Sequence, residues 1–435
     1  MTVVDYEGKP PLAPGQTRLQ VQLCIFMFLQ YFIWGSWYVS MGSYIGGVLK
    51  FDGGQIGWAY SAFAIGAMIA PFFVGLIADR YFASEKLLGV LGVLGGLVLF
   101  TLPLAKSFSS FFPLLILYCA TYTPTLALGN SLSLHQLRDA KRWFPRVKTL
   151  SAVGWIAGGL TVSAIGAENN HRQFYLAAAL SVVFGLFSFT LPHTPPKKVG
   201  ADVSIGEILG LDALALLKKR SFAIFIACMF LICVPLYFYF LNMHIYLGEL
   251  QWSNAAAKMT LAQVSDIVFL IVLPFMLRSL GYKWTITIGI LAWAARYFLL
   301  ARSVDAPAAA QAALIFAAIL LHGVCYDFLF IAGQLYVDDE ANERMRGAAQ
   351  GFIAFILWGV GAFVGSQLAG QVQEHYKLTT PIGSIAHNWS GIWMTPALLA
   401  SAVLVVFLIF FREPRRAALD VAPVRNGMAL DEAPV

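Results

Sequence analysis

Charged residues are scarce in this sequence. Asp, Glu, Lys and Arg make up 12% of its 435 residues, whereas 59% are hydrophobic. An average soluble domain carries about 25% charged residues, and a water-soluble fold of this length could not cover so much apolar surface. The composition therefore excludes an ordinary soluble protein and predicts that lipid is one of the solvents of this chain.

Motifs typical of metal sites, disulfide frameworks and hydrolytic catalysis are also missing. The five cysteines show no C-x-x-C and no metal-type Cys/His spacing. Neither H-E-x-x-H nor G-x-S-x-G occurs, and the glycine-rich segments lack the Lys-Ser/Thr ending of a phosphate loop. We expect no cofactor, no metal ion and no nucleic-acid partner, with the cysteines acting as small packing residues.

Apolar stretches close to the roughly 20 residues that a helix needs to cross a bilayer recur along the chain. They cover 20–44, 55–78, 87–105, 110–134, 148–168, 173–192, 221–247, 256–278, 284–301, 308–336, 346–372 and 389–411. The N-terminal segment lacks the basic start, apolar core and cleavage site of a signal peptide, so we expect the first stretch to be retained. The sequence predicts an all-α integral membrane protein with twelve transmembrane helices, embedded in the lipid bilayer.

The distribution of Lys and Arg predicts the orientation. With both termini in the cytoplasm, and with basic residues at the ends of spans counted in the adjoining segment, 22 of the 29 basic residues fall in inner segments, one falls in each of the six outer loops, and Arg296 lies within a span. Cytoplasmic loops of membrane proteins carry an excess of Lys and Arg. The pattern predicts a multi-pass protein of the plasma membrane, the inner membrane of a bacterium, with cytoplasmic N- and C-termini.

The longest internal polar segment, 193–220, divides the chain into two groups of six spans. The predicted divisions are a cytoplasmic N-terminal segment 1–19, a first half 20–192, a cytoplasmic linker 193–220, a second half 221–411 and a cytoplasmic tail 412–435. This layout is typical of the major facilitator superfamily, whose halves are related by an axis along the membrane normal. We expect a monomer that handles its substrate within the helical bundle.

The turn after the second span, GLIADRYFASEK (75–86), resembles the signature of that superfamily at this position. Gly75 would allow close approach of helices, and Asp79 and Arg80 would form charge contacts that gate the conformational change. The second glycine of the signature is replaced here. The alternative interpretation is that Arg80 and Lys86 only anchor the helix ends at the membrane surface.

Two carboxylates lie within predicted spans. Asp327 is near the middle of the tenth span, and Asp266 is in the eighth, three residues after Gln263 on the same helical face. A mid-membrane aspartate costs roughly 2.5–3.5 kcal/mol on insertion scales, so each is expected to be functional. Burial favours the neutral, protonated form of a carboxyl, which suits proton coupling. The alternative is a structural pair with partners on neighbouring helices.

Several basic groups lie within or near the predicted spans. Lys148 opens the fifth span and is either a counter-charge to one of the two aspartates or an interfacial lysine. Arg296 is interpreted as an interfacial anchor near the outer end of the ninth span. His322 is expected to be a packed neutral histidine on a different face from Asp327, and His244 to lie near the outer mouth.

Several segments together resemble the nucleoside:proton symporters of the major facilitator superfamily. The resemblance covers nearly the whole chain in order and spacing. It is carried by FLQYFIWGSWYVSMGSYIGGVLKFDGGQIGWAYS (28–61), YTPTLALGNSLSL (122–134), LGLDALALLKKR (209–220), QVSD (263–266), YDFLFIAG (326–333) and RGAAQG (346–351).

The resemblance implies roles for individual residues. Asp327 falls on an aspartate implicated in coupling and nucleoside binding, and Tyr326 falls on an aromatic residue beside it. Gln263 matches a glutamine of the family, Asp266 replaces a glutamate and Lys148 replaces an arginine. The residues expected to bind substrate are Lys148, Trp155, Tyr237, Gln263, Asp266, Tyr326 and Asp327, with Asp327 and Asp266 also coupling protons.

Other positions depart from the family. Trp155 stands where the family has phenylalanine, and Tyr237 and Phe240 stand on a glutamine and an asparagine. Ala152 replaces a threonine and Phe330 an asparagine. The residues expected to bind the solute therefore differ from those of the family at these positions. Losing a hydrogen-bond partner costs about 1–3 kcal/mol.

The sequence therefore predicts a non-enzymatic, proton-coupled symporter that imports nucleosides or a similar small polar metabolite by alternating access. The first alternative is a proton-coupled sugar or glycoside symporter of the same fold. A membrane-embedded enzyme is a distant alternative, since the Tyr326-Asp327 pair resembles one motif of aspartyl proteases but the eleventh span has no aspartate. A receptor or channel and sodium coupling also remain open.

Overall fold

The computed structural model describes residues 14–73, 81–195, 211–342, 345–379 and 385–413. Helices α1–α7 comprise Pro14–Gly35, Met41–Gly47, Gly53–Phe73, Ser84–Thr101, Phe108–Gln136, Ala140–Ala164 and Arg172–Ser188. Helices α8–α16 comprise Arg220–Glu249, Ala255–Met259, Leu261–Ser303, Ala308–Leu320, His322–Tyr326, Ala332–Glu340, Arg346–Ala354, Ala362–His375 and Trp389–Phe410. The predicted all-α class is confirmed.

Shorter elements complete the described part of the chain. They are the 3₁₀ helices Leu102–Leu104 and Leu211–Lys218, the π-helical turns Asp327–Ile331 and Phe355–Gly361, and strands β1 (Lys377–Thr379) and β2 (Ile385–His387). The strands form an antiparallel pair in which Lys377 faces His387. A π-helical turn widens the helix locally and is frequent at functional sites.

Seven helical segments within the described residues are long and apolar enough to cross a membrane. They are Ser84–Leu104, Phe108–Gln136, Arg220–Glu249, Ala255–Ser303, Ala308–Glu340, Arg346–His375 and Trp389–Phe410. The segment Ala255–Ser303 contains two predicted spans. It is broken at Gly281, whose φ of 74° is left-handed. The Glu413 carboxylate accepts the backbone N–H groups of Tyr282 and Lys283, both at 3.1 Å, and so caps the second part.

The helices pack in two groups. Helix α1 packs on α6, α4 on α7 and α3 on α5, whereas α8 packs on α15 and α16, and α10 packs on α16. Contacts between the groups are made mainly by α3 with α15, α2 with α8, and α6 with α9 and α10. We call the end of the bundle that holds α2, α9 and the 165–171 loop the closed end.

Glycine residues permit the closest approaches between neighbouring helices. A Cβ atom added to Gly154 on α6 would overlap the backbone carbonyl of Phe28 on α1. At the closed end, a Cβ on Gly53 would lie 2.5 Å from the carbonyl oxygen of Gly370. Backbone atoms cannot move aside as a flexible side chain can, so glycine is required at these crossings.

The Gly154→Leu variant should lose stability, because its side chain would force α1 and α6 apart. Overpacking costs about 1–3 kcal/mol, and the unfolding temperature of the purified protein in detergent should fall by several degrees. Gly351→Leu is the matched control, since a Cβ at this helical glycine meets nothing within 4 Å. Equal unfolding temperatures for the two variants would contradict the packing described for α1 and α6.

Candidate functional site: a buried acidic pair

Asp327 and Asp266 lie close enough to interact electrostatically in the interior of the second helix group. Asp327 begins the π-helical turn, is 3% exposed, and its Oδ2 atom has no hydrogen-bond partner among the described residues. Asp266 lies on α10, and its buried Oδ1 atom likewise lacks a hydrogen-bond partner there. An unsatisfied buried carboxylate is costly, so this pair is suited to bind a proton, a solute or both.

Tyr326 connects this pair to the first helix group. Its ring stacks on His322 with ring centroids 5.8 Å apart, and packs on Phe330 at 5.3 Å. Its hydroxyl group interacts electrostatically with Asp266, Tyr31, Asp327 and Tyr237. Tyr326 is thus near both carboxylates and near one tyrosine each of α1 and α8.

Lys148 lies in the first group and is not an ion-pair partner of either aspartate. Its Nζ atom donates to the hydroxyl of Tyr31 at 2.9 Å and to Oδ1 of Asn130 at 3.1 Å. The ammonium also lies 4.6 Å from the centre of the Tyr31 ring. The predicted direct counter-charge contact between Lys148 and an aspartate is therefore absent from the described residues.

Gln263 and Trp155 line a small, partly open cavity between the two helix groups. Phe240, Tyr239 and Thr260 also line it. Ligand pockets commonly measure about 300–1,000 Å³. The enclosed part of this cavity is far smaller, so a solute would fit here only after the two helix groups move apart. Asp266 does not line this cavity, although the sequence places it on the same helical face as Gln263.

Aromatic rings form one continuous cluster beside the cavity. Trp34 packs edge-on to Trp155 with ring centroids 5.0 Å apart and stacks on Phe63 at 4.4 Å. Phe240 reaches the cluster through Tyr38 at 5.6 Å. Tyr237, which was predicted to bind substrate, is 1% exposed and packs against Phe240 at 6.0 Å behind this surface.

The interpretation of Arg296 as an interfacial anchor is wrong. Its side chain is fully buried, donates from Nη1 to Nδ1 of His322 at 2.8 Å, and covers the ring of Tyr239 at 3.6 Å. His322 is 2% exposed, as a packed histidine should be, but its Nε2 atom also lies 3.8 Å from Oδ1 of Asp266. An arginine inside an apolar span was the available signal, because such residues are functional by default.

A polar cluster that sequence reasoning missed joins the two helix groups at the closed end. Helix α6 ends at Ala164, so Glu168 belongs to the following loop rather than to the predicted fifth span. Its carboxylate accepts the backbone N–H groups of Ala255 at 3.1 Å and Ala256 at 3.0 Å, and the hydroxyl of Ser163. We call this set of contacts the Glu168 clasp.

His244 extends the Glu168 clasp. Its Nε2 atom lies 3.6 Å from the Glu168 carboxylate, and its Nδ1 atom is 2.6 Å from the hydroxyl of Ser43 on α2. Burial alone would raise the pKa of Glu168, but His244, Ser163 and the Ala256 N–H outweigh it and hold that pKa below its ordinary value of 4.5. The closed end is therefore stabilised by an ionised carboxylate at neutral pH.

The predicted gating residues Gly75, Asp79 and Arg80 lie outside the described residues. Across the described ranges, no group of three or more His, Cys, Asp or Glu side chains could hold a metal ion.

Comparisons with known proteins identify relatives over most of the chain. The family described as "Nucleoside H+ symporter" matches residues 17–416. The YegT protein of Escherichia coli (strain K12) is 38% identical over 91% of this chain and 94% of its own. Nucleoside permease NupG of the same organism is 31% identical over 91% of this chain and 96% of its own. A crystal structure of the nucleoside transporter NupG superposes with a TM-score of 0.81 at 30% identity, covering 91% of this chain and 100% of that one.

The Glu168→Gln variant should loosen the closed end, because a neutral amide binds the N–H groups of Ala255 and Ala256 less strongly. Hydrogen bonds to a charged group contribute about 1.5–3 kcal/mol, so the open population should rise about tenfold or more. Pulsed electron paramagnetic resonance would detect the open population as a longer distance between spin labels at the exposed positions Val48 and Ser253.

The pH dependence has a defined sign. The pKa of Glu168 is depressed in the closed state. The contribution of Glu168 to the stability of the closed end is therefore complete above pH 4.5 and is lost as the pH falls through the depressed pKa. With Glu168 ionised at neutral pH, the unmodified protein should therefore show mainly the short distance, and the fraction with the long distance should increase in stronger acid. Asp305→Asn, at an exposed loop position, is the control. A distance that is unchanged by Glu168→Gln at neutral pH would contradict the role of the clasp.

Proposed function

This chain belongs to the nucleoside H+ symporter family, and from that premise we propose that it imports nucleosides together with protons by alternating access. The observation that carries the proposal is Asp327, a carboxyl 3% exposed in the apolar interior whose Oδ2 atom lacks a hydrogen-bond partner among the described residues. Such a group is stable in the apolar interior when it is protonated, and it can bind a solute or a cation when it is ionised.

We propose twelve membrane spans in two six-helix halves, with both termini cytoplasmic and the closed end facing outward. The excess of Lys and Arg in the predicted inner segments supports this orientation. Contacts between α3 and α15 and between α6 and α9 support a state closed on the outside, from which the site opens inward. The protein would act as a monomer in the bacterial inner membrane.

The transport cycle would proceed around the acidic pair. Asp327, with Asp266 beside it, takes up a proton from the outer side and then receives the nucleoside. The two helix groups rock about the site until the Glu168 clasp joins them at the outer end. Solute and proton leave inward, and the empty carrier returns. Gly75, Asp79 and Arg80 are proposed to stabilise one of these conformations at the cytoplasmic side.

Recognition would divide between the two groups. The aromatic rings of Trp155, Trp34 and Phe240 offer faces on which a nucleobase can stack, worth about 1–3 kcal/mol per base. Gln263, Tyr326 and the ammonium of Lys148 supply donors and acceptors for the base edge and ribose hydroxyls. Tyr237 supports this surface from behind by its contact with Phe240.

The Asp327→Asn variant should lose proton-driven accumulation of nucleoside in proteoliposomes. The amide cannot release a proton, so coupling fails, while exchange of labelled for unlabelled nucleoside continues because it needs no net proton movement. Uptake by the unmodified protein should rise under an inward proton gradient and collapse with an uncoupler. Asp305→Asn is the matched control at an exposed site. Full accumulation by Asp327→Asn would contradict the assigned role.

The Trp155→Ala variant should weaken nucleoside binding about five- to hundredfold, as expected from losing one stacking contact. Trp155→Phe keeps a ring at this position and should bind nearly normally. Binding is measured by quenching of intrinsic fluorescence or by half-saturation of exchange. An unchanged affinity of Trp155→Ala for nucleosides would contradict the stacking role. Binding of sugars but of no nucleoside by the unmodified protein would move the assignment to the sugar alternative.

A further inference from the structure

Arg296 is a permanent positive charge inside the bundle. Its side chain is fully buried on the second part of α10, and its Nε and Nη2 atoms have no hydrogen-bond partner among the described residues. Its guanidinium lies over Tyr239 at 3.6 Å and over Trp293 at 5.5 Å. Aromatic faces lower the cost of burying a guanidinium, but an anion is needed to balance it.

The hydrogen bond to His322 fixes the proton on the imidazole ring. Arginine has only donors and is not deprotonated in proteins, so the Nδ1 atom of His322, 2.8 Å from Nη1 of Arg296, must be the acceptor. The ring proton then resides on Nε2. A second proton cannot bind at Nδ1 while this atom accepts the hydrogen bond from Arg296. The imidazolium that it would form would also be repelled by Arg296. His322 is therefore a neutral donor through Nε2.

That donor faces one of the two carboxylates and not the other. Nε2 of His322 lies 3.8 Å from Oδ1 of Asp266, longer than a hydrogen bond but within reach of a small rotation of either side chain. Asp327, in contrast, forms no ion pair with any cation in the described part of the chain, and its neighbouring charge is the Asp266 carboxylate itself. The acidic pair is thus electrostatically unequal.

We propose that Arg296 and His322 are positioning residues for coupling: they favour the ionised form of Asp266 over that of Asp327, so that Asp327 is the carboxyl that loads and unloads the proton. This inference rests on the proposed proton-coupled function. The arrangement balances the buried guanidinium with Asp266, and it leaves one exchangeable carboxyl at the site. Arg296 acts through His322 and need not touch the solute.

The other groups around Asp266 are consistent with this division. The titratable side chains that interact with it are Arg296 on α10, Tyr239 on α8, His322, Cys325 and Tyr326 on α12, and Asp327. Within this set Arg296 is the one permanent cation, because Tyr and Cys are neutral or negative and His322 has its acceptor nitrogen occupied. Loss of Arg296 would therefore let Asp266 compete with Asp327 for protons.

Infrared difference spectroscopy on the full-length protein tests the proposal, because a protonated buried carboxyl has a C=O band distinct from that of a carboxylate. The unmodified protein should show one such band that titrates. The band should disappear in Asp327→Asn and remain in Asp266→Asn. Arg296→Met and His322→Phe should each gain a second titrating band, and that band should be absent from Arg296→Met combined with Asp266→Asn.

Transport provides a second readout. Removing the cation strengthens proton binding by the acidic pair. In Arg296→Met, the pH at which nucleoside uptake declines on the alkaline side should therefore increase by about one pH unit or more. One pH unit corresponds to a tenfold change in proton affinity. Arg296→Lys should restore most of the unmodified profile. Arg302→Gln removes an exposed cation from the same helix and is the matched control.

The outcomes separate this inference from the proposed function. If the unmodified protein takes up nucleoside without regard to a proton gradient, the proposed function fails. If uptake is proton-driven but the titrating band is lost in Asp266→Asn and kept in Asp327→Asn, the proposed function stands and the division of roles is overturned. Should Arg296→Met fail to fold, the two single aspartate variants and His322→Phe still decide the question.

Discussion

The central physical constraint is the burial of ionisable groups where water cannot solvate them. Asp327, Asp266 and Arg296 are held in an apolar bundle, and the carboxylates lack a full set of hydrogen bonds within the described residues. Charge at such depth persists only when it is paired, neutralised by a proton or used by a ligand. A proton-coupled carrier needs a group whose protonated and ionised states are close in free energy. Asp327 can be that group, because its surroundings differ from those of Asp266.

The closed end converts this local chemistry into a global change of shape. The Glu168 clasp binds the backbone of one helix group with a carboxylate from the other, and the glycine crossing of α3 and α15 brings the backbones together beside it. Both sets of contacts are short-ranged and must break together when the bundle opens at that end. The site between the groups is then reached from one side at a time.

Composition and periodicity predicted much of the fold but less of the site. Helices were predictable because apolar stretches of spanning length leave the backbone no other way to satisfy its hydrogen bonds in lipid. Asp327 and Asp266 were identifiable as polar residues in such stretches, and the structure brings them together. The partners of Lys148 and the Glu168 clasp were not predictable, because each depends on contacts between segments far apart in sequence, Tyr31 with Lys148 and Glu168 with Ala255. The position of Arg296 within an apolar span was a signal of its burial, but it did not identify its partners.

The central claim is that nucleoside and protons cross in the same step, and charge movement tests it most directly. Proteoliposomes on a solid-supported membrane are exposed to a jump in nucleoside concentration with no pH gradient and no membrane potential. Coupled entry of protons with a neutral solute predicts a transient inward positive current that saturates with nucleoside and is accompanied by acidification of the lumen. Uptake of the solute without either current or acidification would contradict the account.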